Sequence, residues 1–291
     1  MSIKNSLLIL LLVCIAGVSK AQHTLEKGSG IWMFSGHPAL QGDSMRVFYH
    51  RPEGNVQQMP ILFVMHGIKR NADTYRDNWI KLADEKGILV IVPEFTQDRF
   101  PGSRAYNNGN VQSKSGEIQP DSLWSFSLMD PIFDGVVAAI QGQQQQYDLF
   151  GHSAGSQFVH RFFLFKPEAK TNRVVAANAG TYTMFNPDIA YPYGLKGTGL
   201  DDMQIKKILQ RKLVVQLGEA DTDPKHQFLN VGKRAMAQGA YRLERGLNFY
   251  KQAQEAAKRL GVECQWILRT VPEADHDNAK MAQDIVTYLY P

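Results

Sequence analysis

The sequence predicts an α/β fold: a mostly parallel sheet with helices on both faces and small insertions capping it. Apolar runs of strand length, such as PILFVM from Pro60 to Met65, are nearly continuous, as in strands buried on both faces. They alternate along the chain with stretches of helical spacing, and such alternation builds parallel sheets. The 291 residues, 44% hydrophobic and 21% charged, support a substantial core and exclude a disordered or collagen-like chain.

The first element lies outside the fold. Lys4 precedes an almost wholly apolar run of twelve residues, Leu7 to Val18, and Ser19-Lys20-Ala21 offers small residues where a signal peptidase cuts. Residues 1–21 are therefore expected to be a signal peptide and residues 22–291 a single domain, exported to the periplasm or beyond. Twelve residues are too few for a permanent bilayer span, which takes roughly 20. No later run approaches that length, so no stable membrane span is expected after cleavage. Cleavage removes two lysines and Cys14, so the net charge falls from +4 to +2 and Cys264 stays alone. A lone cysteine rules out an intramolecular disulfide, so the core must stabilise the mature chain. So small a charge gives no reason to expect nucleic acid as a partner.

After an irregular start, Met45 to His50 reads as a strand and Pro60 to Met65 as a buried one. Ala72 to Lys86 carries helical spacing through Tyr75, Trp79, Leu82 and Ala83, with Asn71 as N-cap and Gly87 as terminator. Ile88 to Val92 is the next strand. Glu94 to Asp121 is a long loop rich in Gly, Asn and Ser, and loops of that length are usually functional or disordered. Helices follow at Met129 to Ile140, Ala154 to Phe165, Leu243 to Leu260 and Ala279 to Leu289. Strands fall at Tyr147 to Phe150, Arg173 to Ala177, Lys212 to Leu217 and Cys264 to Thr270. Tyr182 to Lys206 and Pro224 to Arg242 read as insertions above the sheet.

Gly151-His152-Ser153-Ala154-Gly155 fits G-x-S-x-G, directly after the strand YDLF and directly before an amphipathic helix. A strand turning that sharply into a helix holds its middle residue in a strained conformation, with the hydroxyl out at the sheet's C-terminal edge. Ser153 is the expected nucleophile. A serine hydroxyl needs a base, and the base an orienting acid, both on loops after later strands. His276 lies between the last strand and the last helix, where the base belongs. His226 comes too early in the chain, and His160 sits within the nucleophile helix as a packing residue. After KLVVQL the chain reads Gly218-Glu219-Ala220-Asp221-Thr222-Asp223. Asp221 is the preferred acid, and spacing leaves Asp223 and Glu219 as rivals. The amides of Ala154, at a helix N-terminus, and of Ile68, after His66-Gly67, are expected to hold a developing oxyanion. Arg104 and Asn107 in the long loop, and Asn178 and Tyr182 after a later strand, are expected to meet the substrate. Tyr106 and Thr181 lie beside them, and Trp124 and Phe126 could line an apolar acyl site.

G-H-S-A-G, the upstream H-G, the late G-E-A-D and the terminal A-D-H resemble the α/β-hydrolase superfamily from about Arg46 to Tyr290. Within it, HGIKRNADTYRDNW and GEADTDP look most similar to secreted esterases near the polyhydroxybutyrate depolymerases and feruloyl esterases. The resemblance implies a triad of Ser153, Asp221 and His276, no cofactor, and two-step acyl transfer from a small or polymeric ester to water. A peptidase or amidase could use the same triad. A non-catalytic binding protein on this scaffold would need a broken one, and every required residue type is present. No Walker loop, dinucleotide fingerprint or HExxH occurs, and His37, His50 and His226 show no metal spacing.

Overall fold

The computed structural model describes residues 24–291, so the expected signal peptide, residues 1–21, lies outside the described residues. Within them, eight strands form one sheet in the order β1-β2-β4-β3-β5-β6-β7-β8. The strands are β1 (Gly28–Ser35), β2 (Ser44–Arg51), β3 (Ile61–Met65), β4 (Leu89–Pro93), β5 (Tyr147–His152), β6 (Thr171–Ala177), β7 (Val214–Gly218) and β8 (Ile267–Val271). β2 runs against both its neighbours, and every pairing from β4 to β8 is parallel. The helices are α1 (Ala72–Asp77), α2 (Ile80–Lys86), α3 (Gly102–Ala105), α4 (Met129–Ala139), α5 (Ala154–Phe165), α6 (Asp202–Leu209), α7 (Lys233–Met236), α8 (Arg242–Leu260) and α9 (Asn278–Leu289).

Strand side chains alternate between two cores. Phe63, Met65, Leu149, Val215 and Leu217 face α4, α5 and α8, where Ile132, Phe158 and Phe249 are buried. Leu62, Val64, Phe150, Val175 and Val214 face α1, α2 and α9, burying Tyr75, Trp79, Met281 and Ile285. Burial on both sides is why these strands read as unbroken apolar runs.

Three expectations are corrected. The irregular start contains β1, whose Ile-Trp-Met-Phe run hides its alternation; only Phe34 is buried, and Ile31 and Met33 are exposed at the sheet edge. The Ala72–Lys86 helix is two helices, broken where Trp79 turns into the core and packs edge-on against Phe150. Asn71 makes no side-chain cap, whereas Gly87 does close α2 in the left-handed conformation. The first insertion runs into α6 and the second contains α7; Gln238 ties them together by bonding both the amide and carbonyl of Tyr182, and buried Arg245 of α8 bonds the carbonyls of Gly180 and Asn230 beside them. Among the described residues no helix is long and apolar enough to cross a membrane.

Candidate active site

Parallel strands carry their C-terminal ends to one edge of the sheet, and the turns leaving β3, β5, β6, β7 and β8 meet there. Ser153 stands between β5 and α5 at φ +60° and ψ −116°, its amide donating to the Ala177 carbonyl. This turn is possible because its flanking glycines lack side chains: a Cβ on Gly155 would strike the Met65 carbonyl, and one on Gly151 the Gly155 carbonyl.

His276, on the β8–α9 loop, places Nε2 2.9 Å from Ser153 Oγ and Nδ1 2.7 Å from Asp221 Oδ2. Asp221 is buried at the start of the β7–α8 connection. Its rivals stand elsewhere: Asp223 accepts from the Lys225 amide within its own turn, and Glu219 is exposed. The acids flanking His276 are also engaged away from its ring. Asp277 caps α9 through the Ala279 and Lys280 amides, and Asp275 pairs with Lys280. Such a hydroxyl–imidazole–carboxylate chain can remove the serine proton and hold the resulting imidazolium.

Ala154 opens α5, whose first-turn N–H groups lack helical acceptors and carry the positive end of the dipole. Ile68 is 41% exposed on the same groove. The loop beneath it is locked by His66, whose Nε2 accepts from the Phe95 amide while Nδ1 donates to the Gly67 carbonyl. Burial pushes this imidazole down to about 3, so it stays neutral and keeps both bonds. Arg70 fastens the next turn, donating to the carbonyls of Phe95, Phe100 and Gly102 and stacking on Tyr106.

The groove over Ser153 encloses about 310 Å³ and is lined by Gly67, Ile68 and Lys69 together with His226, Gln227 and Phe228. None of the four residues expected to meet substrate lines it. Arg104 bonds Asn110, and buried Asn107 bonds Gln157. Asn178 donates to the Asp275 carbonyl and accepts from the Gly218 amide, bracing the loops that carry His276 and Asp221. Tyr182 is buried against Phe249, its hydroxyl accepting from the Ala179 amide. Phe126 packs edge-on against Phe158 in the core, and Trp124 edge-on against Phe165. A larger cavity of about 490 Å³, between Met184–Tyr193 and α7–α8, shares no lining residue with the groove.

Sequence reading passed over Arg242. It is almost fully buried, with Nη1 3.2 Å from Asp221 Oδ1 and Nη2 3.1 Å from His226 Nδ1. Its signal was present: Arg242, Arg245 and Phe249 recur at helical spacing, which puts the arginines on the core face. Among the described residues no group of three or more His, Cys, Asp or Glu side chains is placed to hold a metal ion.

No protein-family model and no curated protein matches the chain. Solved structures do. Poly(aspartic acid) hydrolase-1 from Sphingomonas sp. KT-1 is 40% identical with a TM-score of 0.88, covering 92% of this chain and 100% of that one. LpqC, a poly(3-hydroxybutyrate) depolymerase from Bordetella parapertussis, is 30% identical with a TM-score of 0.86, covering 91% and 90%. The chain belongs to the α/β-hydrolase family. The hydrolase shares its fold alone with more distant chains such as S-formylglutathione hydrolase FrmB from Staphylococcus aureus, 16% identical with a TM-score of 0.57 and covering 91% and 100%. It is a serine hydrolase of this fold, with Ser153 open to its groove.

Proposed function

We propose that the protein is an exported hydrolase that cleaves carboxylic esters through an acyl-enzyme on Ser153. The observation that carries this is the hydrogen-bonded chain Ser153–His276–Asp221 at 2.9 and 2.7 Å. His276 takes the Ser153 proton as Oγ attacks the ester carbonyl. The amides of Ala154 and Ile68 hold the oxyanion, and a donor of this kind lowers the barrier by about 3–4 kcal/mol. The intermediate collapses as His276 protonates the leaving alcohol. Water, deprotonated by His276, then releases the acid and restores Ser153. Asp221 keeps the imidazole in register and balances its charge.

A second reading, amide hydrolysis, draws on the 40% identical relative named for poly(aspartic acid), a polymer joined by amide bonds. The same chain of groups serves both, with an amine leaving in place of an alcohol. Purified mature protein is expected to start at Gln22, to label with a fluorophosphonate at Ser153, and to hydrolyse p-nitrophenyl acetate and poly(3-hydroxybutyrate) faster than poly(aspartic acid). Ser153→Ala should lose both labelling and turnover. Full turnover in that variant would end the proposal, and a preference for poly(aspartic acid) would transfer it to the amide reading.

A further inference from the structure

We infer that Arg242 is a positioning residue of the Ser153 centre: one arm of its guanidinium clamps the Asp221 carboxylate and the other clamps His226 on the groove wall. This rests on the assignment of Ser153, His276 and Asp221 made above. Asp221 has two oxygens to satisfy. Oδ2 faces His276, and Oδ1 accepts from Arg242 Nη1; the two side chains are 2% and 1% exposed. A buried carboxylate without a cation tends to take up a proton, and a protonated Asp221 could not balance an imidazolium. Among the described residues Arg242 is the only Lys or Arg paired with it. The backbone reinforces the clamp, because the Leu243 amide at the start of α8 donates to the Asp221 carbonyl.

The second arm explains a groove residue. A guanidinium only donates, so His226 Nδ1 carries the lone pair and Nε2 the proton. The His226 ring stands edge-on to His276 with centroids 5.2 Å apart. Accepting from Arg242 requires a neutral His226 ring, and burial, then the charges of Arg242 and His276, lower its proton affinity in the same sense. His276, which becomes cationic in every turnover, thus faces no second imidazolium.

The other groups around His276 do none of this. His152, with its ring centroid 4.6 Å away, is buried and neutral with Nδ1 on the Tyr75 hydroxyl. Asp275 is paired with Lys280, and Asp277 caps α9. Asp223 is held in its own turn, and the Lys69 ammonium lies over the Phe228 ring, 5.3 Å from its centroid.

The test is kcat/KM against pH for the whole protein and its Arg242→Gln and Arg242→Lys variants. In Arg242→Gln the carboxylate loses its cation. With that charge gone, the acidic limb of kcat/KM moves to higher pH by about one unit. KM rises as His226 loses its anchor. Arg242→Lys, a single point charge on a flexible stem, keeps the limb near that of the wild type but retains the raised KM. A folded Arg242→Gln enzyme with an unmoved limb overturns the clamp. Should that variant not fold, an Arg242→Lys enzyme with wild-type KM overturns it instead. Wild-type protein that never labels at Ser153 defeats the reaction assignment itself; normal labelling with an unmoved limb defeats only the role of Arg242.

Discussion

Ser153 is held in a conformation that L-residues rarely adopt, and the hold comes from close backbone approach around it. Gly155→Ala drives a methyl into the Met65 carbonyl, a rigid obstacle. We expect it to destabilise the protein by about 1–3 kcal/mol, read as a lower denaturant midpoint; an unchanged midpoint would show that the turn can relax. At this scale the sequence spoke unevenly. Ser153 and His276 were legible because their neighbours in the chain announce a strand–turn–helix and a strand–loop–helix. Asp221 could not be separated from Asp223 by spacing, since burial and a partner 55 residues away distinguish them. Asn107, Asn178 and Tyr182 sit on loops, and Arg104 on the short helix α3, at or near the right edge, but which way such a side chain points depends on the tertiary contacts that capture it.

The elements that bring Asp221 and His276 together meet at the end of β7. The Glu219 amide bonds the Val271 carbonyl, the Ala220 amide bonds the Ala274 carbonyl, and Asn178 bridges the two loops. Gly218 permits this contact, since a Cβ there would press on the Ala274 and Asp275 carbonyls. Gly218→Ala should separate the Asp221 and His276 loops and, on the proposed mechanism, lower kcat by about a hundredfold, the scale of an ångström-sized misplacement. Activity set beside the unfolding midpoint checks this, and wild-type kcat in a folded variant would count against it. Most elements were readable because two-sided burial writes itself as apolar runs. β1 escaped because an edge strand buries one face, and Gly30, the residue that lets the Tyr49 ring lie across it, looks in sequence like a loop residue. The break between α1 and α2 escaped because Trp79 keeps helical spacing while serving as a core wedge.

Across the whole molecule, His66, His152 and His160 are each buried, and burial lowers the proton affinity of all three. Unfolding returns each to an ordinary value near 6.5, so the unfolded chain binds more protons below that pH. The stability these groups contribute is complete above about pH 6.5 and is lost as pH falls; for His66 the loss continues to about 3. Unfolding free energy should therefore drop from pH 7 to pH 4, and more gently in His66→Gln; equal slopes in the two proteins would remove His66 as a source.

The stretch between β7 and α8 begins with Asp221 and then forms the groove wall of His226 and Phe228 before Arg242 ties both ends together. On the proposed roles of these residues, selectivity and turnover would be written into one ribbon of chain. A lineage adapting to a new substrate through this wall would disturb its own chemistry with nearly every exchange. The side chains of Ile68 and Lys69, where the proposed oxyanion donor is a backbone amide, are where preference can drift more freely.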